Sequence, residues 1–335
     1  MSITSPPKIS PPAAAVEQPR DRSRRRCRRS VAGLLFALPA LVLLGVFHIW
    51  ASLFNIAMSL TDWSLGGASF VGLRNYAALL TGSEFRNSLM VTLFFVVGTV
   101  PVTILIGLPI AYALQYRLAR FHLYRVLVFT PYVVPTVASA MIWSVIFGSN
   151  PGSLANWILS WFGAGPRQWL VDGTGVINVV LHPIGVQLPG VLAGPSVALT
   201  VTMVAQIWHM LGFTVIVLLS GLTGIGEDVR EAARVDGAGE FRVLRSVVVP
   251  LLSPTILFLA VISLIFAVRE FNLIYVLTGG GPLGSSETLS MLMVRQFYQD
   301  NELGRGATTG TFLAVTVAVL TLLQFWISRR RVHYE

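Results

Sequence analysis

Long uncharged stretches alternate with short polar ones along this 335-residue chain. Six of them, near 31–54, 88–114, 125–147, 197–221, 254–277 and 307–328, reach the roughly 20 apolar residues that a helix needs to cross a bilayer. A backbone in lipid must satisfy its own amides, so each stretch predicts a helix. The chain reads as an all-α integral membrane protein with six transmembrane helices, and an even number of crossings puts both termini on one side. The stretch 173–195 is apolar enough to tempt a seventh crossing. His182-Pro183, Pro189 and Gly194-Pro195 would interrupt any helix there, so 148–196 reads as an external loop. The transmembrane unit is expected over 31–328, with tails at 1–30 and 329–335.

The most polar interval inside this region still keeps a helical period. Within 226–250, Glu227 and Asp228 suit a helix start, where carboxylates meet the positive end of the helix dipole. Ala232, Ala233 and Val235 continue that helix, and Asp236-Gly237 breaks it. Phe241, Leu244, Val247 and Val248, spaced by three and four, predict one apolar stripe on a second helix that Pro250 ends. The product is a two-helix knuckle hanging from the fourth and fifth transmembrane helices. A partner that grips such a knuckle can tilt both spans together.

Composition narrows the classes. Hydrophobic residues make up 54% and charged residues 12%, half the share of about 25% usual in soluble domains. Of 24 basic residues, 18 fall in the two tails, in 117–125 and in 222–250, while the acidic residues split almost evenly between the two sides. Basic residues favour the inside, so this bias predicts that both tails and the knuckle are cytoplasmic. Residues 1–30, rich in proline, serine and arginine, are expected to be disordered. The arginine run at 20–29 reads as an uncleaved topological anchor on anionic lipid and not as a nucleic-acid site.

Lys8 is the only lysine, which rules out a Walker-type phosphate cradle and with it ATP hydrolysis by this chain. Cys27 alone can form neither an internal disulfide nor a multi-cysteine metal site, and the five histidines lack HExxH spacing. Paired acids or a nucleophile–base set at matching depth, as a membrane transferase or hydrolase needs, are not evident. An ion-coupled secondary transporter stays open as the alternative, although it wants internal repeats and intramembrane acids, for which Glu270 is the one candidate.

Glu231-Ala232-Ala233, then Asp236-Gly237-Ala238, then Pro250 and Pro254, resemble the EAA loop of permease subunits in binding-protein-dependent ABC importers. Val247 and Val249 depart mildly from that pattern, as does Leu244. Phe70-Val-Gly-Leu-Arg-Asn-Tyr76, Pro131-Tyr-Val-Val-Pro135 and Phe271-Asn-Leu-Ile-Tyr-Val-Leu-Thr-Gly-Gly-Gly-Pro282 are similar to the carbohydrate branch, of the maltose or glycerol-3-phosphate type. The resemblance spans about 31–328 and implies a type I importer transmembrane domain in the bacterial cytoplasmic membrane. It makes Glu231, Ala232, Ala233, Asp236, Gly237, Ala238 and Pro250 the ATPase-coupling residues. It also implies four partners: a second, different permease, two copies of an ATPase subunit that hold the ATP and magnesium, an extracytoplasmic solute-binding protein, and membrane lipid. No cofactor of this chain's own is implied.

Polar side chains in mid-membrane usually face a path or a bundle interior. Tyr132 and Thr136 lie four apart beside Pro131 and Pro135, where a broken helix exposes carbonyls. Gln206 and Met210 repeat that spacing, and Ser263, Ala267 and Glu270 share a face by the i, i+4, i+7 rule. In the similar permeases these faces line a sugar site, with Trp208 and Tyr275 as second-rank contributors here. The same spacings also serve plain helix packing, and Trp143, Trp157 and Trp161 suit the membrane interface. A cationic Arg269 in the path would suit a phosphorylated ligand.

Overall fold

The computed structural model describes residues 36–64, 67–116 and 122–328. The tails at 1–30 and 329–335, the start of the first predicted helix, and Arg117 and Arg120 lie outside the described residues. Helix α1 (Phe36–Ser59) leads into an antiparallel hairpin, β1 (Thr61–Ser64) and β2 (Gly67–Phe70), with Thr61 opposite Phe70. Then come α2 (Arg74–Thr81), α3 (Ser83–Tyr116), α4 (His122–Val133), α5 (Thr136–Ile146), α6 (Leu154–Ser160) and α7 (Val176–Leu181). After them run α8 (Val197–Thr223), α9 (Glu227–Val235), α10 (Glu240–Leu251) and α11 (Ser253–Arg269). The order closes with α12 (Asn272–Thr278), α13 (Leu289–Tyr298) and α14 (Leu303–Ser328). The chain divides into two units, Met1–Phe54 and Asn55–Glu335. The described part of the first is the apolar, exposed start of α1; the second holds the packed bundle.

Helices α1, α3, α8 and α14 are each long and apolar enough to cross a membrane. The pairs α4–α5 and α10–α11 bend by 98° and 73°, and counting each pair as one crossing gives six. The predicted helix at 125–147 is thus two helices. Pro135 offers no amide and drives Val134 out of the helical region, which breaks the chain there, whereas Pro131 sits inside α4 without ending it. The predicted helix at 254–277 is also two. Helix α11 stops at Arg269, Glu270 is extended with ψ 122°, and its Oε1 accepts the Leu273 amide at 2.9 Å, capping the first turn of α12. As expected, 173–195 forms no long helix: α7 ends at Leu181, and Gly185 and Gly194 take positive φ.

Lipid tails are as apolar as leucine, so close backbone approach, not hydrophobic expulsion, holds such helices together. A Cβ on Gly98 would stand 2.9 Å from the Met203 Sδ, and one on Gly107 would stand 2.9 Å from Thr214 Cγ2, which places α3 hard against α8. Buried Thr92, Thr99 and Thr103 return their hydroxyls to carbonyls four residues back at 2.6–2.7 Å, so the polar atoms cost little. Helix α4 crosses α8 at Gly212, whose added Cβ would meet the Val128 carbonyl oxygen at 2.8 Å and Phe129 Cα at 3.1 Å. Backbone cannot yield as a side-chain tip does. Gly212→Ala is therefore expected to destabilise the protein by about 1–3 kcal/mol, read as a lowered melting temperature in detergent. Gly152→Ala, where the added methyl group meets nothing within 4 Å, is expected to leave it unchanged.

At the end of the bundle that bears Ser83, the Phe70–Tyr76 motif works as a clasp. Asn75 donates to the Ser59 and Thr61 carbonyls at 3.0 and 2.8 Å, and the Tyr76 hydroxyl meets Ser59 Oγ at 2.7 Å. The Thr278–Pro282 segment is a turn, with Gly279 and Gly280 at φ +60° and +82° and the Thr278 and Ser286 hydroxyls 2.8 Å apart. Arg295 gathers Glu84 and Glu287 at 2.9 and 2.8 Å. Asn156, buried, receives the Arg167 amide and Trp169 Nε1 at 2.9 and 2.8 Å and so organises the 148–172 loop. Arg167 also pairs with Asp172 at 3.0 Å. Burial by itself would raise the Asp172 carboxyl; the Thr174 hydroxyl and amide and the Arg167 guanidinium outweigh it and hold the group below the usual carboxylate range.

Candidate coupling and translocation sites

The knuckle forms where the sequence pattern places it, and its turn has a definite chemistry. Helix α9 starts at Glu227 with Asp228 in its first turn and ends in a Schellman motif. The Ala238 amide bonds the Ala233 carbonyl at 3.0 Å and the Gly237 amide bonds the Arg234 carbonyl at 3.0 Å. That motif needs a left-handed residue at its pivot, and Gly237 supplies it with φ +82°. Ala233 and Ala238, which the motif brings together, pack on a core built from Ala111, Leu114, Leu218, Leu222, Val243 and Val248. The Glu-Ala-Ala and Asp-Gly-Ala triplets are thus two halves of one capped turn. Glu231, Ala232, Asp236 and Gly237 stay exposed on its outer side, as does Pro250 at the far end of α10.

The second helix departs from the predicted stripe. Phe241 is 74% exposed, while Val243 and Val248 are fully buried. A π-helical stretch at Leu244–Val248 makes the difference, because i→i+5 winding brings residues five apart onto one face. Pro250 does not end α10, which runs on to Leu251 before the bend. The knuckle consequently shows two large apolar side chains at its tip, Phe241 and Val235, the latter 86% exposed.

Behind the tip, Arg230 is only 2% exposed and lies over the Tyr116 ring at 3.3 Å from its centroid, with the Tyr112 ring at 5.9 Å. A desolvated cation over an aromatic face gains about 2 kcal/mol from the ring, and the cost of burying its charge offsets that gain. Glu240 closes the cluster, accepting from the Tyr112 hydroxyl and from Arg234 Nη2, each at 2.6 Å. Sequence reasoning missed this cluster. Tyr112 and Tyr116, like Arg230 and Arg234, are four apart, so each pair shares a helix face, but nothing along the chain links the two pairs.

In the membrane region, α4, α8 and α11 meet through aromatic rings. Tyr132 lies 6.0 Å from His209 and 5.2 Å from Phe213, and Phe213 stands edge-on to Phe266 at 6.5 Å. Gln206, His209, Met210 and Phe213 form one stripe of α8; the first three are buried, and neither Gln206 Oε1 nor His209 Nδ1 has a hydrogen-bond partner among the described residues. Ser263 is buried on α11 with an unpartnered hydroxyl.

Two expected members fall away from this group. The 98° bend puts Thr136 at the start of α5, off the face of Tyr132. Glu270 lies past the end of α11, so the i+7 relation to Ser263 is lost and its carboxylate serves as a helix cap. Trp208 packs edge-on to Trp143 at 5.8 Å, and Tyr275, half exposed, stacks on Phe271 at 5.0 Å. His209 and Phe213 were legible in principle, since both follow Gln206 at helical spacing.

A helical membrane body with a buried polar stripe between its spans, and a capped two-helix knuckle between α8 and α11, is the architecture of a transport permease subunit. More particularly, the chain belongs to the family of inner membrane components of binding-protein-dependent transport systems, whose profile matches residues 100–333. It is 33% identical to the trehalose/maltose transport system permease protein MalF of Thermococcus litoralis over 316 residues, covering 92% of this chain and 97% of that protein. It is 29% identical over 304 residues to the sn-glycerol-3-phosphate transport system permease protein UgpA of Agrobacterium fabrum, with 90% and 95% of the two chains covered. Among solved structures it shares the fold of a bacterial ABC transporter involved in import of the acidic polysaccharide alginate. The TM-score is 0.71 at 21% identity, over 92% of this chain and 99% of that one.

Proposed function

We propose that this chain is one of two different permease subunits of an ATP-driven importer that moves a sugar or a related polyol or glycerophospho compound into the cell. The observation that carries the reading is the knuckle itself, its turn capped through Gly237 and its Val235 and Phe241 side chains 86% and 74% exposed and so available to a partner. In this reading two ATPase subunits hold ATP and magnesium and do the catalysis, and one of them grips the knuckle. Both termini and the knuckle lie in the cytoplasm, and an extracytoplasmic binding protein delivers the ligand. Binding protein and ATP favour opposite-facing states of the bundle, and their alternation moves the ligand past Tyr132, Gln206, Met210 and Ser263.

The relatives named above handle trehalose and maltose or glycerol 3-phosphate, which sets the substrate class. An aromatic ring and neutral hydrogen-bonding groups on the path suit a neutral sugar, because rings stack on the apolar face of a pyranose while amides and hydroxyls bond its hydroxyls. An ion-driven transporter would need an intramembrane acid free to bind a cation, and the Glu270 carboxylate is engaged with the Leu273 amide.

Reconstitution in vesicles separates the readings. The full assembly with binding protein is expected to accumulate maltose or trehalose when ATP is supplied, with ion gradients collapsed by ionophores. The chain alone is expected to accumulate nothing. Gradient-driven uptake by the chain alone would overturn the proposal, and ATPase stimulation by glycerol 3-phosphate but not by the sugars would reassign the ligand.

A further inference from the structure

We propose that Arg230 is a positioning residue of energy coupling that makes α3 a third arm of the lever. This rests on the reading of the knuckle as the ATPase grip. By chain connection the knuckle pulls only α8 and α11. The structure adds a lateral tie: the Arg230 guanidinium sits 3.3 Å from the centre of the Tyr116 ring, and Glu240 holds both the Tyr112 hydroxyl and Arg234. Arg230, Arg234 and Glu240 belong to the knuckle, and both tyrosines belong to the last turns of α3.

The tie is built to carry load from either side of the turn, since Arg230 and Arg234 come from α9 and Glu240 from α10. Its far side leads to the translocation path. Helix α3 packs hard against α8 at Gly98 and Gly107, and α8 carries His209 and Phe213 against Tyr132 of α4. A displacement of the knuckle therefore reaches the Tyr132 contacts through α8, both by chain connection and by way of the α3 packing.

A buried charge is a costly way to secure packing, and exchanging it for an apolar side chain of similar length is often neutral or stabilising. Arg230→Met consequently separates a packing role from a coupling role. In the full assembly, Arg230→Met is expected to keep its melting temperature and its bound ATPase subunits while solute moved per ATP hydrolysed falls about tenfold. Tyr116→Leu is expected to reproduce the loss, and Arg230→Lys, which keeps a cation over the ring, to recover most of it.

Spin labels on exposed Val229 and Leu105 in a Cys27→Ser background test the rigid link directly. Their separation is expected to hold between nucleotide-free and ATP-trapped states with Arg230 present and to change by several ångströms with Met. Unaltered transport per ATP and an unaltered label distance in Arg230→Met would overturn the proposal. Should that variant fail to assemble, Tyr116→Leu decides on the same two readouts. If the chain with Arg230 intact retains no ATPase subunit, the docking reading itself fails, a result recognisable before any variant is made.

Discussion

Uptake by the assembly is expected to fall to background when Glu231→Arg is combined with Gly237→Pro, with membrane insertion unchanged and the ATPase subunits no longer co-purifying. Gly237 stands at φ +82° with nothing within 4 Å of an added Cβ, so the requirement is purely one of backbone conformation. Proline is locked near φ −65° and has no amide to give the Arg234 carbonyl. The turn loses about 1–3 kcal/mol to strain and about 1 kcal/mol with the hydrogen bond. That loss opens the angle between α9 and α10 and moves Val235 away from Phe241. Glu231 lies on the exposed side of α9, and under the proposed docking, reversing its charge would place a cation where the ATPase subunit would meet a carboxylate. Pull-down of the ATPase subunits beside an uptake assay reads both effects. Retained co-purification with normal uptake would remove the docking role.

The second large effect is expected at the translocation face. Tyr132→Leu with Gln206→Leu removes one ring and one amide while keeping side-chain volume close to the original. Each lost ligand contact is worth about 1 kcal/mol, so the pair is expected to reduce uptake about 30-fold with assembly intact. Glu270 behaves differently because it caps α12. Glu270→Gln keeps an acceptor for the Leu273 amide and is expected to transport normally, whereas Glu270→Ala loses about 1 kcal/mol of stability with the cap. Initial rates over a range of ligand concentrations, with the melting temperature of each variant, distinguish the two kinds of loss. Normal uptake in Tyr132→Leu and Gln206→Leu, singly and together, would withdraw the path assignment.

Much of the bundle was legible because lipid imposes a simple rule. Helix α8, expected at 197–221, occupies Val197–Thr223, and α14, expected at 307–328, occupies Leu303–Ser328. The knuckle was legible for a different reason. Glycine at the pivot, alanines on either side and carboxylates at the helix start are local requirements, and local requirements leave their mark at fixed spacing. The π-helical stretch in α10 was not legible, since one extra residue per turn shifts Phe241 out of the stripe without altering composition. Nor was the break at Glu270: Phe271-Asn272 carries no strong breaker, and the cap that makes the break tolerable depends on where the Glu270 side chain folds back.

Residue order thus sufficed for the crossings, the turn of the knuckle and the family, because each is governed by burial of backbone amides or by conformational limits acting over a few neighbouring residues. The pairing of Arg230 with Tyr116, the meeting of Tyr132 with His209 and Phe213, and the close crossing at Gly212 came only from folding. Those contacts join residues from about eighty to more than a hundred positions apart, and which helix faces meet depends on how whole helices fit against one another at glycine-sized gaps.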